Sequence, residues 1–573
     1  MKLVAVFQAL VVAKFDYIVV GSGPGGGTLA TELALKGFKT LLIEAGPDYF
    51  RANQSTPAFH AKASEDPAST FGFYVKHYNN GERYFYPRAS VLGGGSVDNA
   101  MVSIYPNSRD FALMQRITGD STWSEENMRR YFKKLEGNQY LNRTNHSSHG
   151  FDGWLKTSLA APPPTTDSIL NNYLQAGKVD PGFDINGHTE AGLNTDREAN
   201  MAVPQAVDKT DFSRVDFPKY IRSVAARSPL TIWTDTFVTR VLFEGKAAVG
   251  VAYTRGRHLY KASLLRRKPK CKARPRKGSV RAKEVILSGG VFNTPQLLML
   301  SGVGDKHHLK KFNMPVVANV PGVGRNMMDR YEVPIVLQYP RMFKLLTRCR
   351  FTPTQDDPCY QMYLKNHTGP YVSNGILYGQ LRKSHQTLGE PDLFILNGLS
   401  NFHGYFRGYS KHFTSHPNTS TRLILKAHTS NTNGRVKLRS ANPFDVPDIN
   451  FHSFSDGNTD LDILVEALVR ERKTLKASLH VHHQELYPGT HIRTKSQIRK
   501  YIKQVAWGHH ACCTAKMGTQ SDPNAVVDPH FNVRHVKNLR IVDMSIFPKI
   551  PGYFPTVYIH MVAMKAADTI TKA

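Results

Sequence analysis

The clearest chemical signal is a glycine turn. Gly21, Ser22, Gly23, Pro24, Gly25 and Gly26 follow the apolar run 15–20 and precede a helical pattern over 28–36. The spacing of Gly21, Gly23 and Gly26 suits a tight turn whose backbone approaches a pyrophosphate at a helix N-terminus, the third glycine allowing close helix–strand packing. A second apolar strand over 40–43 ends in Glu44, 18 residues after Gly26, where a carboxylate can accept hydrogen bonds from ribose hydroxyls. The pattern predicts a bound dinucleotide and leaves NAD and FAD both open.

Other blocks carry possible chemistry. Residues 88–102 form a second glycine-rich loop in which Gly93, Gly94 and Gly95, bare of side chains, let backbone amides approach a ligand. Residues 285–304 read as a buried strand, a glycine turn and a helix with Pro295 in its first turn. Residues 507–518 gather His509, His510, Cys512 and Cys513. Adjacent cysteines of an extended chain point to opposite sides, and no other Cys/His cluster completes a four-ligand metal set, so packing is the reading for both thiols. A last block, 539–548, contains Asp543 and precedes an apolar helix pattern over 557–570.

Taken in order, these blocks resemble the glucose–methanol–choline (GMC) family of FAD-dependent oxidoreductases over nearly the whole chain. The first signature loop is similar to 88–102 and the second to 290–304, with Val291 replacing a usual small residue; 320–329 and 434–443 also match family stretches. The resemblance implies an α/β fold in which a Rossmann-like FAD domain is interleaved with an α+β substrate domain built on an antiparallel sheet with helices on one side. The expected FAD-binding segments are 14–120, 205–330 and 505–573, and the substrate segments 121–204 and 331–504. By carry-over, Gly21, Ser22, Gly23, Gly26 and Glu44 hold the ADP part of FAD. Val91, Gly93 and the stretch Asn99, Ala100, Met101, Val102 lie along the pyrophosphate and flavin. Val238 contacts the adenine side, and Asp543 closes over the cofactor.

The same alignment puts His510, not His509, at the family's catalytic histidine. An alcohol loses a hydride from carbon and a proton from oxygen, so a base must stand near the flavin N5; histidine, with an ordinary pKa of about 6.5, suits that task. Two departures stand out. Where the family carries a second histidine or asparagine, within 554–556, this chain has Phe554, Pro555 and Thr556, none of which is a base at neutral pH. Asp98 replaces an apolar residue and either faces solvent or brings a charge near the flavin. The expected activity is oxidation of an alcohol or sugar CH–OH group with dioxygen or another acceptor; a non-redox acid–base role and a vestigial binding role are the alternatives. No histidine lies within 91–102 to suggest covalent FAD attachment.

Between the blocks, Ser124 reads as the N-cap of an amphipathic helix reaching Leu135, and 460–476 as another helix. Pro162, Pro163 and Pro164 mark a loop. The bulk properties agree with a large folded body. In 573 residues, 41% hydrophobic and 10% aromatic content excludes a disordered chain, and five cysteines exclude a disulfide framework. No segment is apolar for long enough to span a membrane. Lys2 followed by the apolar run 3–13 reads as a signal peptide, so secretion is expected, and sequons stand at Asn53, Asn142, Asn145, Asn366 and Asn418. The net charge of +29 is concentrated in part at 265–277, eight of whose thirteen residues are basic; this reads as a lengthened hairpin tip and a possible polyanion surface. It lacks the interleaved aromatics of specific nucleic-acid recognition.

Overall fold

The computed structural model describes residues 14–159, 167–189, 192–265 and 275–572. The candidate signal peptide 1–13, the prolines at 162–164 and most of the basic run 265–277 lie outside the described residues.

Two sheets organise the chain. The first has a parallel core in the order Leu230–Trp233, Thr40–Ile43, Phe15–Val20, Arg276–Leu287, with Leu539–Ile541 also on Arg276–Leu287. The last of these strands is the joint of the sheet. Its second half runs parallel to Phe15–Val20, pairing Val20 with Leu287, while its first half is antiparallel to Ala247–Arg255, pairing Arg276 with Arg255. Parallel strands covered on both faces must be apolar throughout, and Ile18, Val19, Leu41, Leu42, Val285, Ile286 and Leu287 are almost completely buried. Helix Pro24–Leu35 packs on this sheet and against helix Thr556–Lys572. The expected hairpin between 248–253 and 280–287 is present, and Tyr260, just after its first strand, is buried.

The second sheet is antiparallel with six strands, in the order Gln484–Tyr487, Tyr331–Gln338, Thr419–Lys426, Leu393–Gly398, Ile376–Arg382, Ala199–Met201. Alternation along Thr419–Lys426 separates its faces. Thr421, Leu423 and Leu425 face the cavity described below, whereas Arg422 points to helix Thr459–Ser478, where its Nη1 donates to Glu471 Oε2 at 2.9 Å. Helices therefore cover one face and the cavity the other, as the family resemblance implied. Ser124 caps helix Glu125–Leu135, accepting from Asn127 N at 3.2 Å.

Three local expectations need correction. Pro295 is the sixth residue of helix Gly290–Leu300, inside it and not in its first turn. It withholds the N–H that would bond the Val291 carbonyl. Cysteines do form crosslinks: Cys349 is bonded to Cys359, the second residue of helix Pro358–Asn366. Cys512 is bonded to its neighbour Cys513. The backbone at Cys513 is left-handed, with φ 81°, and this turn brings together side chains that an extended chain would separate. Both are fully buried, so the packing role stands while the free thiols do not. Among the sequons, Asn142 and Asn366 are exposed, whereas the Asn418 amide is half-buried and donates to Tyr339 O at 2.8 Å. No described helix is long and apolar enough to cross a membrane.

Candidate active site

The glycine turn builds one end of the cavity. Gly21 has φ 101°, and a Cβ there would lie 2.2 Å from the Ser288 carbonyl oxygen; at Gly26 it would lie 2.0 Å from the Gly21 carbonyl oxygen. Only glycine fits either position. Gly23 caps helix Pro24–Leu35 without a side-chain hydrogen bond, no acidic residue sits in the first turn, and a Cβ on Gly23 would meet nothing within 4 Å. The helix N-terminus thus keeps its unpaired N–H groups and its partial positive charge free for an anion. Glu44 closes the far side. Its Oε2 accepts from Ser22 N at 3.0 Å and Ser22 Oγ at 2.6 Å, and its Oε1 from Gly46 N at 2.9 Å. Burial raises its pKa and these bonds oppose the rise. Oε2 already accepts twice, so it is Oε1 that keeps a second lone pair for a ligand hydroxyl.

The cavity has a volume of about 430 Å³ and lies between the carboxyl ends of the parallel strands and the open face of the second sheet. Gly21, Ser22, Gly23, Glu44, Val238 and Asp543 line its nucleotide-like arm, and Asn99, Ala100, Met101, Val102 and His510 line the rest. Three expected contacts stand behind the wall. Gly26 packs on Ser288; the Val91 carbonyl accepts from Ser22 Oγ at 3.4 Å; the Gly93 N–H donates to the same oxygen at 3.1 Å. Gly94 and Gly95 reach the cavity instead, after which the chain makes a short 3-10 turn, Gly94–Ser96. Asp543 ties two distant blocks together: its Oδ2 accepts from Gly290 N at 2.8 Å and from Thr294 Oγ1, and its Oδ1 from Ser545 N at 2.8 Å.

Two residues without any local sequence signal hold the second glycine loop. Arg214 is 1% exposed; its Nη1 donates to Asn99 Oδ1 at 2.8 Å, its Nη2 to Asn99 O at 2.7 Å and its Nε to Gln54 O at 2.7 Å. Asn99 Oδ1 also accepts from Met101 N at 2.8 Å, which fits the left-handed turn at Met101, φ 61°. From the other side Asn374 Nδ2 donates to Ala100 O at 2.5 Å. Asp98 lines the cavity and does not face bulk solvent. Burial pushes its carboxyl up to about 7, against the pull of Arg214 and Arg88.

His510 stands at the other end. Its backbone N–H donates to Asp329 Oδ1 at 2.8 Å. Its Nδ1 is buried with no hydrogen-bond partner among the described residues, 3.7 Å from Glu332 Oε1. Burial, and then Arg330, His509 and Arg88, hold the imidazole well below its ordinary pKa, so it is neutral. Glu332 accepts from Trp507 Nε1 through Oε2 at 3.1 Å; burial, with Asp329 adding to it, pushes its carboxyl up to about 8. Phe554, in place of a second polar group, sets its ring edge-to-face with His510 at 5.6 Å. His509 turns away: its Nε2 lies 2.7 Å from Pro87 O, and its ring stacks on Tyr405 at 4.4 Å. No His/Cys/Asp/Glu cluster able to hold a metal occurs among the described residues. Glu332 escapes sequence reading because its strand, Tyr331–Gln338, brings it to His510 from far along the chain.

An uncapped helix N-terminus, two facing glycine turns whose closest point would put a Gly94 Cβ 2.5 Å from Gly23 Cα, and a buried acid beyond them fit an extended dinucleotide with a pyrophosphate at its centre. Known proteins agree. GMC oxidoreductase family profiles match residues 15–332 and 430–563. The chain is 31% identical to the mitochondrial choline dehydrogenase of Homo sapiens, covering 97% of this chain and 90% of that protein. It is 29% identical to an oxygen-dependent choline dehydrogenase of Staphylococcus aureus, with coverage of 97% and 93%. In fold it is similar to a formate oxidase variant from Aspergillus oryzae, with a TM-score of 0.81 at 19% identity over 97% of this chain and 98% of that one. A pyridoxine 4-oxidase gives a TM-score of 0.77 at 20% identity over 98% and 99%. The chain therefore belongs to the GMC oxidoreductase family, FAD-dependent enzymes acting on CH–OH donors.

Proposed function

We propose that the protein oxidises a small alcohol to a carbonyl compound with His510 as the base. The observation that carries the reading is the His510 imidazole, neutral and with its Nδ1 lacking a hydrogen-bond partner among the described residues, in the same cavity as the two glycine turns. FAD, when bound, supplies the hydride acceptor. The N–H of Gly23 and the uncapped first turn of helix Pro24–Leu35 would hold its phosphates, Glu44 a ribose, and the Asn99–Val102 stretch would lie along the flavin, while the Gly21 and Ser22 amides brace the turn itself on Ile43 O and Glu44. Nδ1 of His510 is enclosed against Glu332, which leaves Nε2 to take the hydroxyl proton as the carbinol carbon gives up its hydride. Dioxygen or another oxidant completes the cycle. Phe554 contributes no proton acceptor, so His510 acts alone.

A choline-like substrate is favoured by one further feature. Glu332 lines the cavity beside the aromatic wall formed by Phe402, Tyr405, Tyr409 and Phe413. A buried carboxyl raised to about 8 gains most from a cationic neighbour, and aromatic faces attract a quaternary ammonium group. Binding of such a cation ionises Glu332, and the carboxylate then favours the tautomer with its proton on Nδ1, which frees Nε2 as the base. Anaerobic mixing of the holoenzyme with choline and a panel of neutral alcohols tests the proposal. Bleaching of the flavin band supports it, and turnover without bleaching means a non-redox reaction.

A further inference from the structure

We infer that Tyr86 and Asp329 form a clamp that positions the base, coupling His510 to the cofactor side of the site. This rests on the reading of His510 as the base. Tyr86 lies on strand Tyr84–Ala89, which runs straight into the second glycine loop; Asp329 immediately precedes Arg330 and strand Tyr331–Gln338 of the other sheet. Their side chains meet, Tyr86 Oη donating to Asp329 Oδ2 at 2.6 Å. Each member of the pair also takes one N–H from a single short stretch of backbone, while Asp329 Oδ1 accepts the Arg330 N–H at 2.8 Å as well. Asp329 Oδ1 accepts the His510 N–H at 2.8 Å, and Tyr86 Oη accepts the Ala511 N–H at 3.1 Å. Arg88 Nη2 donates to Tyr86 Oη at 3.0 Å. A phenol oxygen has one proton to give and two lone pairs to offer, so the Tyr86 hydroxyl is fully used.

The backbone is shaped to admit this clamp. A Cβ on Gly508 would lie 2.4 Å from Asp329 Cγ and 2.4 Å from Arg330 O, so any other residue would push the carboxylate off the His510 amide. Tyr86 and Asp329 are both buried, where an unpaired N–H costs more than at the surface and the bonds to Asp329 are charge-assisted. Neither side chain is needed to take the substrate proton. Both are positioning residues: they fix the imidazole relative to the glycine loop that this strand runs into, through main-chain bonds that leave Nε2 free.

The test uses the holoenzyme and a double-mutant cycle. Tyr86→Phe is expected to slow anaerobic flavin reduction by the best alcohol about tenfold to hundredfold, the scale of a displaced reacting group, with the ratio of flavin to protein absorbance unchanged. In a His510→Ala background the same change is expected to have no further effect, because the clamp acts only through the base. Equal slowing in both backgrounds overturns the inference while leaving the base reading intact. A His510→Ala enzyme as fast as wild type removes the base reading itself, a different and separately visible failure. Asp329→Asn supplies the second variant: it keeps an acceptor for the His510 N–H but turns an amide toward Tyr86, and the same dependence on His510 is expected. Loss of flavin from both variants would make the pair part of the cofactor scaffold and overturn the inference.

Discussion

Thr514 Oγ1 donates to the carbonyl oxygen of Val291 at 2.7 Å, satisfying the acceptor that Pro295 leaves without its helical partner. A proline inside the helix after the second signature loop and a threonine four residues after His510 are thus two halves of one device. It holds the His510 segment against the cofactor-side helix, and Asp543 reinforces the same junction by accepting from Gly290 N and Thr294 Oγ1.

Thr514→Val keeps the shape and removes the donor. It should cost about 1–3 kcal/mol, the penalty of a buried acceptor left unpaired, read as a lower denaturation midpoint. Thr514→Ser should recover most of the loss. Equal stability of wild type and the valine variant would mean that the Val291 carbonyl finds another donor.

The carboxyl of Glu332 makes the substrate preference testable by charge. Because burial holds it near 8, kcat/KM for choline should rise as pH increases through about 8, as the carboxylate forms. The neutral isostere 3,3-dimethylbutan-1-ol should lack that acidic limb. Glu332→Gln should raise KM for choline about tenfold to hundredfold, the loss expected for one cation contact of roughly 1.4 to 2.8 kcal/mol, and change KM for the isostere little. Parallel changes for both alcohols would exclude Glu332 as a cation site.

His149 is a structural charge far from this chemistry. Its Nδ1 lies 2.8 Å from Glu136 Oε2 and its Nε2 2.7 Å from Asp184 Oδ2, with the ring fully buried. Burial alone would lower its pKa, but the bonds and charges of Asp184 and Glu136 outweigh it and hold the ring near 9. A folded pKa above the unfolded value of about 6.5 gives stability that is complete below 6.5 and is lost as pH rises through 9. The melting temperature of the holoenzyme should therefore fall across that window. The fall should be smaller in His149→Gln, and identical profiles would exclude His149 as its source.

Much of the cofactor end was legible because its constraints are local. Gly21, Gly26 and Glu44 sit where a strand, a turn and a second strand dictate, and the structure gives each a steric or hydrogen-bonding reason. Val91 and Gly93 belong to the same loop but support Ser22 from behind, a distinction set by which way a turn faces and invisible in spacing. Arg214 and Asn374 stabilise the Asn99 loop from more than a hundred residues away in the chain. Glu332 reaches His510 through the register of an antiparallel sheet. The bonded pair Cys512 and Cys513 depends on a left-handed backbone that cysteine seldom adopts. Pairings that depend on tertiary packing leave no periodic trace, so His510 is picked out by family resemblance and its surroundings by the fold alone.

The role of His510 is tested most directly by the rate of flavin reduction in a single anaerobic turnover, comparing wild type with His510→Ala at saturating alcohol and equal flavin content. The account predicts a loss of about a hundredfold to ten-thousandfold, the usual contribution of a general base, with the flavin still bound. Reduction of His510→Ala at the wild-type rate would contradict it.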